Sequence, residues 1–276
     1  MYFEPAENAG QLCRDGGLCE NNPIRSAINE TKALFGNDAV VDLAISLGCG
    51  NGTQSQTHLG WVGPDWLQSL FDTFIKTMNC EKGWENFKAD ADAKILSRSE
   101  RLNFRLPTKK EPDLDDTSLI DQMEESARAA KFYHKPSPSE FTPVVGLDGG
   151  DALEVLAYRL KGSLYFFELS SLTQQDDVAI VKGWICCRLR PSDRSAYRSL
   201  LEETSCFQVK GATYKVPATQ PTERLKLDVT FQQQDSQEDD PIRIDAKFGC
   251  DYLVTISGFP ITLRVSLPKL FISKAC

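Results

Sequence analysis

The residues best suited to catalysis lie in one run near the start of the chain, Asp15-Gly16-Gly17-Leu18-Cys19-Glu20-Asn21-Asn22-Pro23. Two glycines after an aspartate allow backbone conformations that other residues rarely adopt, so a tight turn can aim the carboxylate. Asn-Pro favours a helix start, and the positive end of the helix dipole keeps a nearby carboxylate ionised. A fixed, ionised carboxylate is the base that a hydroxyl nucleophile needs. An ordinary Asp-Gly surface turn before a capped helix has the same residues, so residue types alone leave both interpretations open.

The elements that must position this run have the pattern of a mixed α/β domain. Helical spacing follows Pro23 and stops at Gly36; its apolar stripe contains Ile24, Ala27, Ile28, Thr31, Leu34 and Phe35. Residues 39–47 form a nearly continuous apolar run, which predicts a strand buried on both faces of a parallel sheet. Further on, the pattern predicts helices over 64–78, 84–96 and 117–131 and a strand over 100–106.

A change of composition near Pro136 divides the chain. The prolines of the K-P-S-P-S segment block both helix and strand pairing, so we predict a linker there. Beyond it, strands are predicted over 163–170, 178–189, 206–216, 225–231, 242–248 and 261–267, with one short helix near 194–203. Alternating apolar and polar residues indicate sheets with one buried face, so residues 136–276 are predicted to form an antiparallel sandwich or barrel behind an α/β part at 1–135.

The first half of the chain resembles patatin-like phospholipases in three motifs that occur in the family's order. These are the D-G-G run at Asp15, the N-N-P turn at Asn21-Asn22-Pro23, and Ser46-Leu47-Gly48-Cys49-Gly50 after the predicted strand. The opening Tyr2-Phe3-Glu4-Pro5 and the later Asp113-Leu114-Asp115-Asp116 are also similar to segments of that family. The resemblance therefore covers about residues 1–135 and predicts the C-terminal part of a patatin-like domain.

What the resemblance implies is a lipid acyl hydrolase with a Ser–Asp dyad. Asp15 would be the dyad base, and Gly16, Gly17, Asn21, Asn22 and Pro23 would form the supporting loop. The family's serine lies in a G-x-S-x-G elbow upstream of the D-G-G run, after a glycine-rich oxyanion loop, and this sequence contains neither motif. We therefore expect Asp15 to have no serine partner within this chain, and the sheet around residues 40–47 to have an exposed edge.

Composition excludes several other classes of function. The net charge of −8 argues against nucleic acid, whose phosphates need a basic face, and disfavours strong adhesion to anionic lipid. None of the nine cysteines forms a C-x-x-C pair and the chain has two histidines, so we expect reduced thiols and no metal site. No signal-peptide pattern occurs in the first ten residues, and no apolar run is long enough to span a membrane. We expect a cytoplasmic protein without cofactor, peripheral to membranes where it meets lipid.

Weaker patterns each have an ordinary interpretation that is preferred. Gly48-x-Gly50-x-Gly52 resembles a phosphate loop but lacks a following helical stripe, so a strand-terminal turn is favoured. His58 and His134 are interpreted as solvated loop residues rather than general bases. The acidic run at 235–240 is a calcium-loop candidate but fits a hairpin turn better. The apolar stripe at 66–78 fits core packing better than a membrane-facing surface.

Two functions from different classes follow. The first is an acyl hydrolase of phospholipids or neutral acyl lipids, of which this chain carries the aspartate half. The second is a catalytically inert remnant or interaction protein, whose β-rich domain binds a protein partner or a membrane surface.

Overall fold

The computed structural model of the 276-residue chain describes residues 6–13, 20–37, 39–51, 80–106, 117–132, 144–145, 151–217, 223–234, 240–249 and 252–262. The chain divides into two compact units, Met1–Phe132 and Tyr133–Cys276. The linker predicted near Pro136 lies outside the described residues, as do the predicted helix at 64–78 and the end of the strand predicted at 261–267.

The first described feature of the first unit is a small hairpin that the sequence pattern does not predict. Strand β1 (Ala6–Asn8) pairs antiparallel with β2 (Gln11–Cys13). Ala9 and Gly10 connect them with φ of 52° and 77°, the left-handed conformations of a tight two-residue hairpin turn.

The remainder of the described first unit is helices around one parallel strand pair. In chain order the elements are α1 (Ile24–Phe35), β3 (Ala44–Leu47), α2 (Cys80–Asp90), α3 (Ala93–Ser97), β4 (Ser99–Leu102), a 3-10 turn (Thr117–Leu119) and α4 (Ile120–Ala129). Strands β3 and β4 pair in parallel, with Ala44 opposite Ser99 and Leu47 opposite Leu102. A small core of Ile24, Ile28, Trp84 and Phe87 packs with Ala44, Ala91 and Ile95.

Several predicted boundaries in this unit need correction. The strand predicted over 39–47 begins only at Ala44, and it is not buried on both faces, because Val40 is 53% and Leu47 is 71% exposed. The helix predicted over 84–96 is two helices, since the Asp92 carboxylate accepts a hydrogen bond from the Ile95 amide (2.8 Å) and starts a new helix there. The strand predicted over 100–106 is the shorter β4, followed by a parallel bridge between Arg105 and Asn51.

The described part of the second unit contains antiparallel sheets and two helices. Its elements are β5 (Val144–Val145), α5 (Ala152–Ser163), β6 (Tyr165–Gln175), β7 (Val178–Cys187), α6 (Arg194–Glu203), β8 (Thr204–Val209), β9 (Ala212–Lys215), β10 (Lys226–Gln234), β11 (Ile244–Phe248) and β12 (Tyr252–Thr255). One sheet has the order β10-β7-β6 and the other the order β5-β12-β11-β8-β9. The antiparallel sheets predicted for the C-terminal part are confirmed, within a chain of mixed helices and strands.

One core joins both sheets of the second unit. Its fully buried side chains include Tyr165 and Ile185 of the first sheet and Phe207 and Phe248 of the second. The rings of Tyr165 and Phe207 meet edge to face, with centroids 4.9 Å apart. The strand predicted over 206–216 is in fact the β8–β9 hairpin, because Lys210 and Gly211 take φ of 48° and 81° and turn the chain back.

Candidate functional site

The structure describes some of the predicted site residues and not others. Asp15, Gly16 and Gly17 lie outside the described residues, and Asn21-Asn22-Pro23 lies directly before α1. The Pro23 carbonyl accepts the first helical hydrogen bond from the Ala27 amide (2.8 Å), as predicted for a helix that starts at this turn. The structure thus places the N-N-P turn and leaves the D-G-G run as a prediction.

Asn22 is buried and makes three hydrogen bonds through its side-chain amide. Its Oδ1 accepts from the Ile24 amide (3.4 Å) and from the Ser46 hydroxyl (2.9 Å), and its Nδ2 donates to the Cys80 carbonyl (3.2 Å). Only 6% of Asn22 and 7% of Ser46 are exposed. The N-N-P turn is therefore fixed to strand β3 and to the start of α2.

Arg101 joins the same set of contacts from β4, where it lies opposite Ser46 in the parallel register. Its Nη1 donates to the Ser46 hydroxyl (3.0 Å), and its Nε and Nη2 donate to Glu81 Oε1 at 3.0 and 2.6 Å. The Arg101 side chain is 7% exposed and that of Glu81 is 34% exposed, so the guanidinium is buried while water reaches the carboxylate. We call Asn22, Ser46, Glu81, Arg101 and Asn103 the buried polar network.

Asn103 connects the network to the glycine-rich turn after β3. Its Nδ2 donates to Glu81 Oε1 (2.7 Å) and also bonds Asn51 Oδ1, while its Oδ1 accepts from the Gly50 amide (2.9 Å). Gly48 must be glycine because a Cβ there would overlap the Asn103 side chain. The Gly50 amide therefore bonds Asn103 of the same chain. The Gly48–Gly50 part of the run that resembles a phosphate loop thus has a structural role.

The buried polar network has the chemistry of a scaffold rather than of a reaction centre. The Ser46 hydroxyl donates to an amide oxygen, which is no base, so Ser46 is not an activated nucleophile. Both Arg101 and Glu81 are used in their own ion pair. The network lies at the carboxyl end of β3 and β4, the edge at which ligands bind in parallel α/β sheets.

Three of the network residues were not found by sequence reasoning. Glu81 belongs to a helix whose start was placed too late, and Arg101 and Asn103 were assigned to a strand without a role. The available signal is the spacing of Arg101 and Asn103, two polar side chains at alternate positions and therefore on one face of a strand.

The other candidate sites from the sequence lie outside the described residues. His58, His134, residues 66–78 and residues 235–239 lie outside the described residues. Among the described residues, no group of three or more metal-ligating side chains comes together, and no helix is long and apolar enough to cross a bilayer.

The described cysteine side chains, those of Cys49, Cys80, Cys186, Cys187 and Cys206, are not joined in disulfides. Burial, and secondarily the Glu168 carboxylate, raises the pKa of the Cys186 thiol to about 11. Burial also raises the pKa of Cys187. Both thiols are therefore protonated at neutral pH and poor nucleophiles.

Comparison with known proteins gives one match, in the second unit. A family model described as a domain of unknown function (DUF8392) matches residues 180–269, which is less than half of the chain. No curated protein and no solved structure matches the chain. The matched segment begins inside β7 and omits α5 and β6, although both contribute to the same core.

Proposed function

We propose that residues 1–135 are the C-terminal part of a patatin-like lipid acyl hydrolase, with Asp15 as the base of a Ser–Asp dyad. The observation that supports this most is the hydrogen bond between Ser46 and Asn22. It joins two separate motifs of the resemblance, S-L-G-x-G and N-N-P, at the carboxyl end of a parallel strand pair. Catalytic loops of α/β proteins lie at this end, and the D-G-G run precedes the same turn in the chain.

The proposed reaction is acyl transfer through a serine ester. The Asp15 carboxylate accepts the proton of the serine hydroxyl as the serine oxygen attacks the ester carbonyl of a phospholipid or neutral acyl lipid. The protonated Asp15 then gives this proton to the lipid alcohol as it leaves. Water hydrolyses the acyl-enzyme: Asp15 takes a proton from the attacking water and returns it to the serine oxygen, which releases the fatty acid. No metal or organic cofactor takes part. The serine comes from outside this sequence, which contains no G-x-S-x-G; the protein acts in the cytoplasm and at membrane surfaces.

A second candidate function is a non-catalytic interaction protein. It is favoured by the sequence's lack of a nucleophile elbow and by the family match, which covers the β-rich unit alone. In this alternative, the β-rich unit binds a protein partner or a membrane surface, and the first unit is an inert remnant.

The decisive experiment starts from the transcript upstream of the Met1 codon. An in-frame G-x-S-x-G favours the hydrolase, and the longer protein is then assayed for turnover of p-nitrophenyl acyl esters. We expect Asp15→Asn to lower kcat by about 10⁴-fold or more, because a general base contributes about 10²–10⁴-fold and dyad members act as a unit.

Two controls make the result specific. Asp121→Asn, at an exposed aspartate in the first turn of α4, should leave turnover unchanged. The 276-residue chain alone should not react with a fluorophosphonate probe. An Asp15→Asn protein that melts normally yet keeps more than a tenth of wild-type turnover would show that Asp15 is not the base. An upstream frame without the elbow would favour the interaction protein.

A further inference from the structure

The Ser46 hydroxyl lies between Arg101 of the Arg101–Glu81 ion pair and the turn before α1. It accepts a hydrogen bond from Arg101 Nη1 (3.0 Å) and donates one to Asn22 Oδ1 (2.9 Å). We propose that Ser46 is a positioning residue, which transmits the fixed geometry of the Arg101–Glu81 pair to Asn22 and so to the first turn of α1. The consequence for catalysis rests on the proposed function, because this turn follows Asp15 in the chain.

The polarity of each group explains why a hydroxyl is needed at this position. The Arg101 guanidinium carries donors only, and a hydroxyl is the smallest side chain that accepts from it and donates onward. Asn22 must present Oδ1 to Ser46 and to the Ile24 amide, because the opposite orientation would place its NH2 group against an amide N–H. The Nδ2 group then faces the Cys80 carbonyl. Ser46 therefore selects one of the two orientations of the Asn22 amide.

Because these side chains are buried, the orientation of the Asn22 amide depends on the Ser46 hydroxyl. Asn22 and Ser46 are 6% and 7% exposed, and the Arg101 side chain is 7% exposed. Water is poorly placed to replace the hydroxyl, so its removal leaves a donor of Arg101 unsatisfied and takes from Asn22 Oδ1 the shorter of its two hydrogen bonds. We expect the loss of stability to be local. It should weaken the hydrogen bonds of the Ile24 amide to Asn22 Oδ1 and of the Ala27 amide to the Pro23 carbonyl.

Residue-resolved amide hydrogen exchange on the 276-residue chain tests the inference without any activity. In Ser46→Ala, exchange at the Ile24 and Ala27 amides should become about tenfold faster, which corresponds to the loss of one buried hydrogen bond. Ser46→Thr keeps the hydroxyl and should restore protection.

Ser99→Ala is the matched control, because Ser99 is also buried on the β3–β4 pair and its hydroxyl bonds the Ile95 carbonyl (2.7 Å). It should leave exchange at Ile24 unchanged. A uniform rise of exchange over α1, α2 and both strands in Ser46→Ala, or unchanged exchange at Ile24, would overturn the positioning role.

The longer, serine-bearing protein separates this inference from the proposed function. There, Ser46→Ala should lower kcat about tenfold at unchanged KM, and Ser46→Thr should restore it. Equal loss of turnover in Ser46→Ala and Ser46→Thr would refute a role of the hydroxyl. If the wild-type longer protein has no hydrolase activity, the proposed function fails, and the exchange measurements alone decide whether Ser46 positions Asn22.

Discussion

A chain that begins at Ile180, where the family match begins, should fail to fold even though it carries most of the strands of the second unit. Such a chain lacks β5, α5 and β6, and also Val178 and Ala179, the first two residues of β7. Strand β6 pairs with β7 along the whole length of β7, from Tyr165 opposite Cys187 to Gln175 opposite Val178. Its removal would expose one full edge of β7 and reduce the three-stranded sheet to a β10–β7 pair, which is marginal in water by itself.

The magnitude follows from the side chains that the truncation removes from the core. Val155 and Tyr165 are 0% exposed, and Leu156 and Leu169 are 5% exposed. Burial of one large apolar side chain contributes about 1.5–3 kcal/mol, so these four contribute roughly 6–12 kcal/mol. Whole domains are stable by about 5–15 kcal/mol, so the loss is comparable to the full stability of the unit. The buried hydrogen bond between the Tyr165 and Thr204 hydroxyls (2.8 Å) is lost as well.

Urea unfolding of two chains, 144–276 and 180–276, measures this difference. Trp184 is the only tryptophan in either chain, so its fluorescence and far-UV circular dichroism report on the same unit. We expect a cooperative transition for 144–276 and none for 180–276. If 180–276 unfolds cooperatively with a free energy within about 1 kcal/mol of the longer chain, α5 and β6 are accessories and the core argument is wrong.

Two further outcomes are expected. Burial raises the pKa of the native Cys186 thiol to about 11, whereas a thiol in the unfolded chain ionises at about 8.5. Between these pH values the unfolded state binds fewer protons than the native state. The free energy of unfolding should therefore fall as pH rises through this window. Urea titrations at several pH values should show a weaker decline in Cys186→Ala, and parallel curves for the two proteins would contradict the assignment. Limited proteolysis should cut near 135–140, within the predicted proline-containing linker, and leave a stable C-terminal fragment; cleavage scattered through β6 to β12 would mean that the second unit does not fold independently.

Elements with strong local signals were predicted well from the sequence. The bounds of α6 agree with the predicted 194–203, and α1 begins directly after Asn22-Pro23 and ends before Gly36 as its capping residues indicate. In the alternating runs, Val229 and Phe231 of β10 and Ala246 and Phe248 of β11 are buried as predicted. In each case the signal lies within a few residues of the element that it defines.

Elements that depend on tertiary contacts were missed or misplaced. Helix α5 is apolar on two faces, with Val155 buried and Leu153 and Leu160 half exposed, so it has no clear helical stripe. The run at 39–47 is nearly continuously apolar, so composition cannot locate where pairing starts; only the partner strand β4 sets the first paired residue at Ala44. Local pattern alone did not separate β8 from β9 at Lys210-Gly211.

The candidate site was also predicted only in part from the sequence. Its motifs identify residues that are close in sequence, but not the distant residues that contact them in the fold. Asn22 and Ser46 were identified because they belong to motifs, but their contacts depend on Arg101 and Glu81, which are 55 and 35 residues away from Ser46. Arg101 meets Ser46 through the parallel register, and Glu81 joins them through Arg101. A partly buried ion pair is a weak source of stability, since apolar side chains of similar volume often stabilise a core more. The first unit has a described core cluster of four buried apolar side chains, and it nevertheless places the Arg101 side chain, 7% exposed, against Glu81, 34% exposed. Stability alone does not account for such an arrangement; the proposed positioning of the Asn22 amide, and with it of the turn that follows Asp15 in the chain, accounts for it.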